Sequence, residues 1–78
     1  MTPEIHAAFA EAAEEMGKFK LAAKCWRDAR YEAISRKDDR MFEYNRRMVL
    51  ADMEYTRRMM ELNRPFAGKK IKLPENAR

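Results

Sequence analysis

The segment from Gly17 to Ala29 constrains the fold of this chain more than any other. Its aromatic and small residues follow one another at helical spacing. Glycine can end a helix in the left-handed conformation without a Cβ penalty, and small residues on either side of Trp26 let a second helix approach closely. The segment therefore predicts two antiparallel helices joined in a hairpin. We assign six residues to its structural core: Phe9, Gly17, Phe19, Ala22, Trp26 and Ala29.

Capping and breaking residues divide the whole chain into three helices. Thr2 can cap the first helix and Pro3 suits its first turn, while Pro65 prevents the last helix from continuing. No segment alternates polar and apolar residues as a strand does, so the expected fold class is all-α. We expect one helical domain over residues 1–63 and a basic tail over residues 64–78. The predicted elements are a first helix ended by Gly17, a second from about Lys18 to Ser35, and a third from Asp38 or Asp39 to about Asn63.

One face of the first helix is predicted to be apolar. Residues recur there at the three-and-four spacing of an amphipathic helix. They are Ile5, Ala8, Phe9, Ala12, Ala13 and Met16.

Charge and composition narrow the class of protein. Residues 1–17 carry a net charge of −4 and residues 18–37 a net charge of +5, so the first two helices should attract one another. A single cysteine cannot form an intramolecular disulfide, and no metal-ligand set surrounds it. No apolar run approaches the ~20 residues that cross a bilayer. We expect a soluble, cytoplasmic protein without cofactor or metal.

The third helix carries two apolar stripes, and the short hairpin should cover only one of them. The first stripe comprises Met41, Tyr44, Met48, Ala51, Tyr55, Met59 and Leu62. The second comprises Phe42, Val49, Met53 and Met60. The first two helices could wrap the third and bury both stripes, but we favour an interface, because exposed apolar residues at helical spacing are otherwise a liability.

The predicted partner is another protein, and a homo-oligomer, first of all a dimer, is also expected. Which stripe faces the partner is left open by the sequence. The residues we assign to partner binding are Phe42, Arg46, Val49, Met53, Arg57 and Met60.

The hairpin motif resembles known families. Gly17-x-Phe19-x-x-Ala22-x-x-x-Trp26-x-x-Ala29 has the spacing of the turn and second helix of a tetratricopeptide repeat, which implies a tetratricopeptide-like hairpin. The stretch Ala13–Ala29, with Asp39, Phe42 and Arg46-Arg47 downstream, resembles the ANR family, small bacterial and phage proteins named as negative regulators of AraC-type activators. PerC-like regulators, which share an Ala-Ala-x-x-Trp element and an arginine pair, are a second resemblance.

The ANR resemblance covers roughly residues 5–50 and implies a function. It implies a negative regulator that binds a transcription activator and blocks its dimerisation or its engagement with DNA. The target we predict is a transcription activator or another host protein. The chain departs from the family in two ways: Val49 or Leu50 stands where a cysteine often follows the arginine pair, and the chain extends through residues 53–78.

Two other classes of function are enzymes and nucleic-acid-binding proteins. An enzyme is not expected, because His6 is the only histidine and no nucleophile has a base within reach. Direct nucleic-acid binding is the alternative, since the net charge of +4 lies entirely in residues 64–78 and the arginine pairs 46–47 and 57–58 could join that tail on phosphates. Its candidate contacts are Arg64, Lys69, Lys70 and Lys72.

Overall fold

Three helices make up the described part of the chain. The computed structural model describes residues 2–64, which form α1 (Pro3–Glu15), α2 (Phe19–Ser35) and α3 (Arg40–Asn63). α2 packs against both α1 and α3, whereas α1 and α3 share few contacts. No residue in the range 2–64 belongs to a strand. The predicted all-α class, with a helical hairpin and a long third helix, is confirmed.

The first helix begins and ends as its capping residues predict. The Thr2 hydroxyl accepts a hydrogen bond from the Ile5 N–H at 3.4 Å. At the other end Gly17 adopts φ +76°, its N–H donates to the Glu14 carbonyl at 2.9 Å, and the Lys18 N–H donates to the Ala13 carbonyl at 2.8 Å. This pair of bonds is a Schellman motif. Gly17 is itself exposed, so its placement in the core was wrong and its role is conformational.

The turn between α2 and α3 repeats this motif without a glycine. Lys37 adopts φ +54°, its N–H donates to the Ile34 carbonyl at 3.0 Å, and the Asp38 N–H donates to the Ala33 carbonyl at 2.8 Å. Of the two predicted caps for α3, Asp38 provides the side-chain bond, because its Oδ1 accepts from the Arg40 N–H at 2.9 Å. The left-handed Lys37 was not predicted.

Small residues form most of the core. Trp26 is its largest side chain and is 1% exposed, while Ala22 and Ala29 are fully buried. These three core predictions are confirmed, and Phe19 is half-buried against the same cluster. The buried apolar residues are Ala10, Ala13, Ala22, Ala23, Trp26, Ala29, Ala33, Tyr44 and Ala51.

Phe9 does not belong to this core and is 54% exposed. α1 turns its alanine side, with Ala10 and Ala13 buried, towards the rest of the molecule. Alanine has no side chain beyond Cβ, so two helix backbones come close together there and leave no room for a phenyl ring. The placement of Phe9 in the core was therefore wrong, and Ile5 and Met16 are exposed with it.

Candidate protein-binding surface on the third helix

The first apolar stripe of α3 is the one that packs on the hairpin. Tyr44 and Ala51 are buried, and Met41, Met48 and Tyr55 are half-buried beside them. Towards the C-terminus the stripe runs past the hairpin, so Met59 and Leu62 are exposed. The structure thus settles which stripe faces inwards.

A cluster around Trp26 fixes the rotation of α3. The Trp26 and Tyr44 rings are stacked with centroids 5.7 Å apart and planes inclined by 29°. The Arg47 guanidinium lies over the Trp26 ring, with Cζ 4.3 Å from its centroid. Stacking of this kind adds to the free energy of simple apolar burial. With Tyr44 and Arg47 held on the indole, the side of α3 opposite to Tyr44 must face outwards.

Glu14 of α1 completes this cluster. Its Oε2 accepts from the Trp26 Nε1–H at 2.8 Å, and its Oε1 accepts from Arg47 Nη2 at 3.0 Å. The indole N–H is thereby satisfied inside the core, as a buried donor requires. Sequence reasoning missed Glu14, Tyr44 and Arg47 as one unit, because residues in three different helices meet only after those helices have packed.

The second apolar stripe of α3 lies on the outward side. Its residues are spaced by seven, four and seven positions, which places them on one side of the helix. From Phe42 to Met60 there are 18 residue-to-residue steps, or about 27 Å of helix. Their exposed fractions are 70% for Phe42, 42% for Val49, 61% for Met53 and 66% for Met60. We call this set the outward face of α3.

Two arginines flank the outward face, and each pairs with a carboxylate of its own helix. Arg46 donates to Glu43 at 2.7 Å, and Arg57 donates to Glu54 at 2.6 Å. Glu54 also accepts from Arg58 at 2.6 Å. Hydrogen bonds from Arg57 and Arg58 lower the pKa of Glu54 to about 2, and the bond to Glu54 raises the pKa of Arg57. The flank is therefore charged but locally balanced.

The structure brings the six predicted partner-binding residues to one side of α3, where all of them are exposed. Of the predicted nucleic-acid contacts, Arg64 is described and lies 3.0 Å from Glu61. Lys69, Lys70 and Lys72 lie outside the described residues. The predicted division into a helical domain (1–63) and a basic tail (64–78) falls at the end of the described residues, and all of the tail after Arg64 lies outside them.

Within residues 2–64 the possible metal ligands are scattered and the single cysteine is half-buried. Between Thr2 and Arg64 no three His, Cys, Asp or Glu side chains lie close enough together to hold a metal ion. Burial raises the pKa of the half-buried Cys25 thiol, which reduces its thiolate fraction and hence its nucleophilicity. None of the three described helices combines the length and hydropathy of a membrane span.

Comparison with known proteins returned no match: no protein-family model, no curated protein and no solved structure matches this chain. The resemblance to the ANR family therefore stays a prediction. The exposed side of α3 is the feature from which a function can be argued.

Proposed function

We propose that this protein is a small regulatory protein that acts by binding another protein through the outward face of α3. The observation that supports this is the exposure of Phe42, Met53 and Met60 on a helix whose opposite side already packs on the hairpin. Contiguous exposed apolar residues on a small domain are typical of an interaction site. Anchors spaced along one side of a helix suit docking into a groove or against another helix.

The residues of this face indicate what kind of surface the partner has. Methionine side chains such as Met53 and Met60 adapt to irregular apolar surfaces, while the Phe42 ring provides a large rigid anchor. The pairs that hold Arg46 and Arg57 are exposed, and exposed ion pairs contribute little to stability. A carboxylate of the partner can replace Glu43 or Glu54 at little cost. The partner we propose has an apolar groove or helix with acidic residues at its edge.

The resemblance to the ANR family extends this proposal to the partner's identity. We propose that the partner is a bacterial transcription activator and that the chain occupies its interaction helix. Binding there would block dimerisation or DNA engagement, so the regulatory effect would be negative. The identity of the partner is argued from the resemblance alone. The binding surface is argued from the exposure and spacing of the apolar residues on α3.

The test is affinity capture from a host lysate with the parent and with Phe42→Asp/Met53→Asp. We expect the double variant to lose a DNA-binding protein that the parent retains, while its circular dichroism stays helical. Tyr31→Asp/Ile34→Asp is the matched control, since it adds two carboxylates at exposed apolar positions of α2. Equal capture by all three proteins would overturn the proposal.

The captured protein then provides the functional test. Its binding to its own DNA site is measured with increasing amounts of the parent or the α3 variant. We expect the parent to inhibit DNA binding and the variant to require at least about tenfold more protein. If the activator binds its DNA site equally well with either protein added, the chain binds the activator without inhibiting it. The proposed negative regulation would then be wrong.

The nucleic-acid alternative is tested in the same preparation. Among the two arginine pairs, Arg47 is held by Glu14 in a partly buried ion pair, which lowers its availability for phosphates. Binding of the parent to mixed duplex DNA is measured at about 50 mM and about 200 mM salt. Micromolar affinity that survives the higher salt would favour the alternative.

A further inference from the structure

An open groove lies between α2 and α3, on a part of the surface other than the outward face of α3. Its volume is about 640 Å³. Apolar side chains line much of it, among them Phe19, Met48 and Tyr55. Phe42, Val49, Met53 and Met60 are not among its lining residues. This α2–α3 groove is therefore a second surface, distinct from the outward face of α3.

The rim of the groove is basic. Lys18, Lys20, Lys24 and Arg27 line it, with Asp52 as the one acidic lining residue. Lys24 lies 3.5 Å from Asp28, and Lys20 lies over the Tyr55 ring at 5.7 Å. Within residues 2–64, neither Lys18, Lys20 nor Arg27 lies within salt-bridge distance of a carboxylate. A ligand that combines acidic and apolar groups fits such a groove.

α1 presents such a combination on its exposed side. Ile5, Phe9 and the C-cap residue Met16 are exposed large apolar residues, and with Ala12 they follow the four-three-four spacing of a helix–helix contact. Glu11 and Glu15 are exposed beside them, and no cation in the described part of the chain lies within salt-bridge distance of either. α1 carries no lysine or arginine. We call this surface the outward face of α1.

The two surfaces cannot meet within one chain. α1 buries Ala10 and Ala13 against the rest of the molecule, so its outward face points away, and no residue of Pro3–Glu15 lines the groove. The chain's own C-terminal segment has the wrong charge, because residues 65–78 contain four bases and one acid. A second copy supplies an acidic, apolar helix of the required kind.

We propose that the outward face of α1 docks into the α2–α3 groove of a second copy. Each copy offers one helix and one groove, so two copies can dock reciprocally about a twofold axis, or the contact can continue head-to-tail into a larger ring or an open chain. Opposite charges at the rim make it sensitive to salt. This proposal uses neither Phe42 nor Met53 and is independent of the proposed function.

The experiment measures mass by sedimentation from about 10 µM to about 1 mM at low ionic strength. We expect the mass of the parent to rise with concentration and to fall back on addition of salt. Two charge reversals, Glu11→Lys/Glu15→Lys and Lys24→Glu/Arg27→Glu, should each weaken association at least about tenfold. A chain that carries all four changes should associate again, because the charges are then complementary once more.

Controls separate this contact from other forms of association. Glu43→Lys/Glu61→Lys makes the same charge change as the α1 variant at exposed sites of α3 and should associate like the parent. Circular dichroism checks each fold, and Lys20→Glu/Arg27→Glu replaces the groove variant if that variant loses helicity. A parent that remains monomeric overturns the proposal. So does a folded fourfold variant that fails to associate, or an association that Phe42→Asp/Met53→Asp abolishes and both charge reversals leave intact.

Discussion

Trp26 is the residue at which all three helices meet. Its indole N–H donates to Glu14 of α1, its ring stacks on Tyr44 of α3, and Arg47 of α3 covers it. The surrounding core residues are almost all alanine. Because alanines permit close approach but bury little apolar area, one large aromatic provides much of the specificity of packing.

Lys37 is the one non-glycine residue in the range 2–64 with a positive φ. A non-glycine residue in the left-handed region costs roughly 1–2 kcal/mol relative to the right-handed one, and Lys37 adopts φ +54°. We expect Lys37→Gly to raise the free energy of unfolding by about 1 kcal/mol, or the melting temperature by about 4–8 °C for a domain of this size. Thermal unfolding followed by circular dichroism measures the change.

The control for this substitution is Lys37→Ala. Alanine keeps the Cβ atom that makes the left-handed conformation unfavourable, so we expect its melting temperature to stay near that of the parent. Gly17→Ala, at φ +76°, should lower stability by about 1 kcal/mol for the same reason. A gain from Lys37→Ala as large as that from Lys37→Gly would attribute the effect to loss of the lysine charge instead.

At the scale of elements, α3 differs from α1 and α2 in having a C-terminal half that contacts the hairpin through side chains such as Tyr55 and Arg58 and then ends beyond it. Its last residues, including Met60 and Leu62, are exposed. Ion pairs within the helix stabilise this half, since Glu54 pairs with both Arg57 and Arg58. Local pairs of this kind support a helix where tertiary contacts are few.

These pairs predict a pH dependence of α3. The pKa of Glu54 falls from an ordinary 4.5 to about 2 in the folded chain. A lowered carboxylate pKa stabilises the fold above about pH 4.5, and this contribution is lost as the pH falls towards 2. We expect the parent to melt at a higher temperature than Glu54→Gln at about pH 6, and the difference to shrink steadily between about pH 4.5 and pH 2.

The comparison between parent and variant isolates Glu54. Asp38, whose pKa Arg40 lowers to about 2, titrates in the same range but is present in both proteins. Its contribution to the melting temperature therefore cancels in the difference. A difference in melting temperature that stays constant from about pH 6 to about pH 2 would show that the ion pairs of Glu54 with Arg57 and Arg58 do not stabilise the fold.

At the scale of the whole molecule, α1 and α3 are joined mainly by polar side chains. They share few backbone contacts, but Glu14 reaches Arg47 at 3.0 Å and Glu4 reaches Arg40 at 2.6 Å. The Glu14–Arg47 pair is partly buried and shares Trp26 with α2. This pair therefore links the outer helices through the core.

A double-mutant cycle measures this link. We expect Glu14→Ala and Arg47→Ala to show a coupling free energy of about 0.5–1.5 kcal/mol in chemical denaturation, since both residues belong to one hydrogen-bonded network. The exposed Glu43 and Arg46 pair provides the reference cycle, with an expected coupling of about 0.3–0.5 kcal/mol. Equal coupling free energies in the two cycles would mean that burial against Trp26 does not strengthen the interaction between Glu14 and Arg47.

Helix positions and helix ends were predictable because their causes are local. Thr2, Gly17 and Asp38 act on backbone groups within a few residues of themselves, so the bounds of the three helices followed from the sequence. The inner side of α2 followed as well, since Ala22, Trp26 and Ala29 recur at helical spacing on one side of it.

Only the tertiary structure decided which sides of α1 and α3 face outwards. Both helices carry apolar residues on more than one side, and the periodicity of a single helix cannot rank two such sides. The choice depends on contacts between helices: alanine against alanine excludes Phe9 from the core, and Trp26 with Tyr44 and Arg47 turns Phe42 towards solvent. These contacts join residues far apart in the sequence, so no local pattern records them.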